Sequence, residues 1–247
     1  MQNNLDSIET SCKAQSIIVE KFELIYSNSF TEVKNLDILK DRLGGYGIKA
    51  LLLDLSTMPR ELIWNILTYS TLIFEKIDLI YHKPKEYAQW LCRNFEKPVL
   101  QIGHSGISRF GKPTALIIIT GFDPERTKQL INHFEPDIVY LGIQIGSQFE
   151  NIKRNIEEHK SFLMQNLNYF ELDSFDINSG DSSLNKIVEI LTEYNIIISS
   201  QGPKLSSVIT YNSFVKYSNV GLAYVPSKEI NLEYSKGIMD NVKYEFK

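Results

Sequence analysis

The sequence predicts an α/β fold: a mostly parallel sheet with helices on both faces. Three observations predict it. Short runs rich in Ile, Leu and Val recur along the chain, each followed by glycine, proline or hydroxyl punctuation and then a helix-like stretch. Several runs are continuously apolar, as in strands buried on both faces of a parallel sheet. The strand–helix order repeats throughout, and right-handed crossovers turn that order into a parallel sheet. The chain divides into two α/β halves, residues 1–110 and 111–247, in one sheet or in two subdomains.

In the first half, residues 1–15 read as a polar, frayed lead-in. Ser16–Tyr26 reads as a strand, and a helix over about 35–43 stops at Gly44-Gly45-Tyr46-Gly47. Ala50–Leu55 reads as a buried strand carrying Asp54 near its end. A helix to about Phe74 follows, with Ser56 or Thr57 as cap and Pro59 and Glu61 in its first turn. Ile77–Tyr81 is a strand, His82–Lys85 a turn, and the stretch with Tyr87, Trp90 and Leu91 an aromatic helix. Pro98–Ile102 reads as a strand, and Gly103–Pro113 as a linker.

The second half restarts with the strand Ala115–Ile119, the turn Thr120–Arg126 and a helix to about Phe134. Asp137–Leu141 is a strand, and a helix covers about 149–167. Tyr169–Leu172 is a weaker strand, and the loop Asn178–Ser182 caps a helix over about 183–193. Tyr194–Ile198 is an apolar strand, Gly202 a turn and Pro203 the first residue of a helix to about Lys216. Val220–Val225 is the last strand. Pro226 and an aromatic, loosely structured tail follow, which can add an antiparallel edge.

Composition excludes several function classes. A hydrophobic content of 43% in 247 residues supports a large core, and a net charge of -4 argues against a duplex nucleic-acid surface. Cys12 and Cys92 form no metal or disulfide pattern, which suits a reducing cytoplasm. The N-terminus lacks a signal-peptide plan, and no apolar run approaches the roughly 18 residues of a membrane span. The expectation is a soluble cytoplasmic protein without membrane contact. His82, His104, His133 and His159 share no zinc spacing, so no metal is expected. His82, after a strand end, is the one placed for acid–base work, whereas His133 and His159 read as helix-surface or boundary residues. No cofactor is expected, since nucleophile-elbow, Walker and Gly-x-Gly-x-x-Gly motifs are absent.

Ligands of a parallel sheet sit beyond the carboxyl ends of its strands. Polar side chains collect there: Asp54, Ser56, Thr57 and Arg60; Tyr81 and His82; Thr120, Asp123, Glu125 and Arg126; Gln201 and Lys204; Tyr224 and Ser227. Helix capping accounts for Ser56, Thr57, Thr120 and Asp123. It does not account for Arg60, Arg126 and Lys204, because a cation in a first helical turn opposes the helix dipole. A shared anion would explain all three. The octet Ser199–Ser206 is the strongest candidate: Gly202 turns the chain, the helix start offers free N–H groups and Lys204 adds charge. On those residues alone, an ordinary strand-to-helix turn with an exposed lysine is the plainer reading.

The five strands of the second half suggest a Rossmann-like order, in which the first and fourth are neighbours. Thr120-Gly121-Phe122-Asp123-Pro124-Glu125-Arg126 and Ser200-Gln201-Gly202-Pro203-Lys204-Leu205-Ser206 would then lie side by side. The arrangement resembles the CRISPR-associated Rossmann-fold (CARF) sensor domains of prokaryotic antiviral systems. These carry a ligand-contacting turn after the first strand and a glycine-x-lysine turn after the fourth; Pro203 stands where threonine is usual. The resemblance covers about 110 residues. It implies a nucleotide or oligonucleotide ligand, a homo-oligomer and a partner effector protein. On this reading Thr120, Gly121, Asp123, Arg126, Gln201, Gly202, Lys204, Ser206 and Tyr224 bind ligand. The alternative is an enzyme acting on a nucleotide, nucleoside or other phosphate-bearing metabolite, with Asp54 or Glu125 as acid or base and Arg60 assisting. An Asp54–Arg60 ion pair that merely fixes the turn is the plainer reading of those two.

Overall fold

The computed structural model describes residues 9–15, 37–38, 41–42, 44, 47, 49–145, 151–165 and 167–247. The chain divides into two units, Met1–Leu39 and Lys40–Lys247. In the first, residues 9–14 are helical. The strand expected over Ser16–Tyr26 lies outside the described residues. The helix expected before Gly44 is helical at residues 37, 38, 41, 42 and 44, and Gly47 has φ +62°.

All other elements among the described residues belong to the second unit. The larger sheet has six strands in the order β5-β10-β9-β6-β7-β8. These are β5 (Val99–Leu100), β6 (Thr114–Ile119), β7 (Ile138–Gln144), β8 (Asn168–Leu172), β9 (Asn195–Ser200) and β10 (Val220–Tyr224). Every neighbouring pair is parallel except β5 against β10. A three-stranded sheet holds β1 (Ala50–Asp54), β2 (Lys76–His82) and β13 (Asn241–Glu245), with β1 parallel and β13 antiparallel to β2. Two short antiparallel ribbons complete the strands. One joins β4 (Cys92–Phe95) to β11 (Ser227–Ile230), and the other β3 (Glu86–Tyr87) to β12 (Ser235–Lys236).

Five helices connect them: α1 (Arg60–Ile73), α2 (Pro124–Phe134), α3 (Asn151–Leu163), α4 (Ile177–Ile190) and α5 (Leu205–Lys216). The centre of the large sheet is its driest part, since Ala115–Ile119 of β6 are fully buried. Leu116 and Ile118 pack with Leu130 of α2 and Phe162 and Leu163 of α3. Strand alternation sends Ile117 and Ile119 to the other face. α5 lies along β9 and β10. Gly180 lets α4 approach α5 closely: a Cβ there would lie 2.4 Å from Ile209 Cδ1.

Several local expectations change. β1 is not buried on both faces, because it edges the small sheet: Leu53 is buried and Leu52 is 66% exposed. No side chain caps α1; Ser56 instead bonds Asp54, and Pro59 holds the cap position. The aromatic stretch near Tyr87 forms β3 and β4 rather than a helix, because tail strands β11 and β12 supply hydrogen-bonding partners for it. The tail is therefore structured. Asp176 caps α4 by accepting from the Ser179 N–H, so the expected loop at Asn178–Ser182 is already helical. α5 begins at Leu205, and Pro203 and Lys204 precede it in a tight turn closed by bonds from Ser206 and Ser207. No helix among the described residues is long and apolar enough to cross a membrane.

Candidate anion-binding site

The site lies at the carboxyl ends of the two central strands. β6 and β9 are direct neighbours, with Ile119 opposite Ser200, so the turns that leave them run side by side. Gly121 is what lets them touch: a Cβ there would lie 2.2 Å from the Gln201 carbonyl oxygen. Gly202 is similarly enclosed by the Gln144 side chain, Ser206 and the Thr120 carbonyl. At Gly121 only glycine permits such a close backbone approach, whereas a Cβ at Gly202 would be tight, 3.1 Å from Gln144 Oε1.

α1 brings a third wall. Arg60 and Trp64 are one helical turn apart and so share a face. Trp64 Nε1 donates to the Ser207 carbonyl at 2.9 Å, and Arg60 Nη2 donates to the Gly202 carbonyl. These two bonds fasten the start of α1 to the β9–α5 turn. Arg60 is the first residue of α1, Arg126 lies in the first turn of α2 and Lys204 holds the cap position of α5. The three cations that capping could not explain thus converge.

Their mutual charge effects fit that placement. Burial, then the charge of Arg126, lowers Arg60 to about 10, with Glu61 opposing. Burial, then Arg60, lowers Lys204 to about 7; Arg126 adds to this and Glu61 again opposes. At neutral pH Arg60 stays charged and the lysine is near its midpoint. Among the described residues Lys204 Nζ has no hydrogen bond or ion pair. Arg126 is only 9% exposed, with its guanidinium over the Phe95 ring at 4.7 Å and Nη2 against Cys92 Sγ. Its Nε lies 3.9 Å from Asp123 Oδ2. The Nε atoms of Arg60 and Arg126 are buried without a hydrogen-bond partner, as are both amide atoms of Gln201. Burial raises the Asp123 carboxyl, with Arg126 opposing. The cluster therefore holds two fixed cations, one titrating cation and a surplus of donors, with Glu61 and Asp123 as the nearby carboxylates.

The other expected ligand residues serve the turns. Thr120 is buried, with Oγ1 at 2.8 Å from the Gly142 carbonyl and 2.6 Å from Asn155 Oδ1. Asn155 Nδ2 donates to the Gly121 carbonyl at 2.6 Å, so α3 holds that turn in place. Ser206 Oγ donates to the Pro203 carbonyl at 2.7 Å and lies 2.6 Å from Ser200 Oγ, inside a buried hydroxyl cluster. Asp123 caps α2 by accepting from the Glu125 N–H at 3.1 Å, and Glu125 itself is exposed. Tyr224 ends β10 opposite Val99.

Asp54 belongs to a different cluster. It accepts from the Ser56 backbone N–H and hydroxyl, at 2.9 and 2.6 Å, and lies 3.7 Å from His82 Nε2. Among the described residues no ion pair joins it to Arg60. Ser56 points at the carboxylate rather than the imidazole, so the trio lacks the serine–histidine bond of a nucleophilic site. His159 is not a surface residue: it is buried, with Nδ1 3.1 Å from the Asn155 carbonyl and Nε2 3.0 Å from Thr127 Oγ1.

Sequence reasoning missed Cys92 and Phe95 at this site, because the aromatic stretch carried a helix-like spacing. No protein-family model matches the chain, and no curated protein matches it.

Proposed function

We propose that the protein binds a phosphate-bearing ligand, a nucleotide or oligonucleotide, at the cluster of Arg60, Arg126 and Lys204. The observation that carries this reading is the convergence itself. Three cations from three helix starts face one another at the ends of adjacent parallel strands, and their nearest buried donors lack partners. Like charges at such range cost free energy unless something offsets them, and a bound phosphate would. The strand order β8-β7-β6-β9-β10 also supports the Rossmann-like reading and, with the turns at Gly121 and Gly202, the CARF-like one. A signalling role in antiviral defence, a homo-oligomer and an effector partner rest on that resemblance.

Binding has more support than turnover. Asp54 is engaged with Ser56 and His82, and Glu125 is exposed, so neither proposed acid or base is held within the cation cluster. Calorimetric titration with mononucleotides and cyclic and linear oligonucleotides tests the reading. Charge-assisted hydrogen bonds are worth about 1.5–3 kcal/mol, so Lys204→Ala and Arg126→Ala should each weaken binding about tenfold or more. Absence of binding up to millimolar ligand, or affinity unchanged in Lys204→Ala, would overturn it. Product formation in the same samples would favour the enzyme.

A further inference from the structure

We infer that Gln144, at the end of β7, is a ligand-binding residue of the Gly202 turn: its side-chain N–H donates a hydrogen bond to the anion that the turn holds. This rests on the anion-binding reading above and gives the site a neutral donor from a third strand of the large sheet.

The sheet places Gln144 where a ligand would meet it. From β6 the chain runs outward through β7 to β8, then returns to β9 on the other side of β6 and continues to β10. β6 and β9 therefore flank the point where strand order reverses, and parallel sheets bind ligands beyond the carboxyl ends at such points. Gln144 is the last residue of β7, on the far side of β6 from the Gly202 turn. Backbone bonds fix its position: the Ile145 N–H donates to the Leu172 carbonyl at 3.1 Å, and the Thr120 N–H to the Gly142 carbonyl at 2.9 Å. From there the side chain crosses the end of β6. Its Oε1 lies 3.1 Å from the point that a Cβ on Gly202 would occupy, and the Thr120 carbonyl oxygen lies 3.3 Å from the same point. The Gly202 carbonyl is the one that accepts from Arg60 Nη2, and Lys204 follows two residues later. Gln144 thus touches the turn itself.

Nothing in the described protein pairs with its donor. Gln144 is 3% exposed, and its Nε2 is buried without a hydrogen-bond partner. Nε2 shares its carbon with Oε1, so this donor lies beside the turn as well. Methionine would fill the same space without leaving a buried donor unpaired. The turn is more open, since Gly202, Pro203 and Lys204 are each half-buried. Among the described residues the backbone N–H groups of Gly202 and Lys204 make no hydrogen bond. An anionic oxygen on the turn would accept from these groups and from Gln144 Nε2 together. Gln201 is also buried with both amide atoms unpartnered, so both strands beside β6 lead into unpaired amides.

The test is calorimetry of the full chain with inorganic pyrophosphate and with ATP, with melting curves of the same samples. Gln144→Met keeps the length of the side chain and removes the donor. It should weaken binding about tenfold or more, since a bond to a charged oxygen is lost. Its melting temperature without ligand should stay the same or rise, because no buried donor is left unpaired. A lower melting temperature with unchanged affinity marks a purely structural glutamine and would overturn the inference. If the unaltered protein binds neither probe, the anion-binding reading falls and this inference with it. If it binds either, Lys204→Ala weakens that binding and Gln144→Met does not, Gln144 alone is overturned. Should Gln144→Met fold poorly, NMR of the unaltered protein decides. Saturating pyrophosphate should shift the Gln144 side-chain NH2 signal, and a signal left in place overturns the inference.

Discussion

The two sheets of the Lys40–Lys247 unit are built on opposite plans. The six-stranded sheet buries nearly all of its central strand β6 and joins its parallel pairs through helical crossovers. The three-stranded sheet is half-exposed, and its third strand comes from the other end of the chain: β13 pairs with β2, Glu245 opposite Asp78. Both sheets bury apolar side chains, but the small one must also offset the entropy of a long-range loop closure to gain its third strand. The cation cluster stands at their junction. Arg126 and Lys204 leave the large sheet, and Arg60 follows the small one. Rigid elements aim the first two, whereas the third depends on the bonds from α1 to the β9–α5 turn.

Substitutions should separate the plans, starting where the effect is largest. Ile117→Ala, in the dry centre of β6, should destabilise by about 2–5 kcal/mol, and Leu52→Ala on the exposed face of β1 by no more than about 0.5 kcal/mol. Denaturant titration of both variants measures the contrast. Gly121→Ala forces a Cβ to 2.2 Å from the Gln201 carbonyl. It should cost about 1–3 kcal/mol and, by parting the two turns, weaken anion binding as well. Trp64→Phe removes the bond to the Ser207 carbonyl and should cost about 1–2 kcal/mol. Because it loosens α1, it should also lower affinity for pyrophosphate without touching the ligand.

A smaller effect concerns pH. The unfolded chain holds the Lys204 proton up to about its ordinary 10.5, the folded chain only to about 7. Between those values the unfolded state binds more protons, so this group makes stability rise with pH across that window. The penalty is fully present below it. Lys204→Met should flatten this rise, which melting curves from pH 7 to pH 10 would show.

The contrast between the sheets also explains what could be read from residues alone. Ala115–Ile119 and Tyr194–Ile198 are continuous apolar runs between punctuators, and that pattern is local. So are Gly202 and the lysine after Pro203, which is why the β9–α5 turn was legible. Arg60, Arg126 and Lys204 stand out in the sequence because a cation at a helix start opposes the helix dipole. The wall made by Cys92 and Phe95 was not legible, because their strand exists only through a partner more than a hundred residues away. Glu86–Phe95 has no strong period of its own, and tertiary pairing overrode the weak helical one. The Gly180 signal misled for a related reason. It reads as loop punctuation, but its work is to admit Ile209 of a neighbouring helix.

The most direct test of the account titrates Lys204 itself. Competitive acylation read by mass spectrometry gives the pH at which this amine becomes reactive, with and without inorganic pyrophosphate. The account predicts a midpoint near the value of about 7 set by burial and its two arginines. A bound anion should move that midpoint upward by about one unit or more, since an opposite charge nearby favours the protonated amine. A midpoint at the ordinary lysine value, or one that saturating pyrophosphate leaves in place, would contradict it.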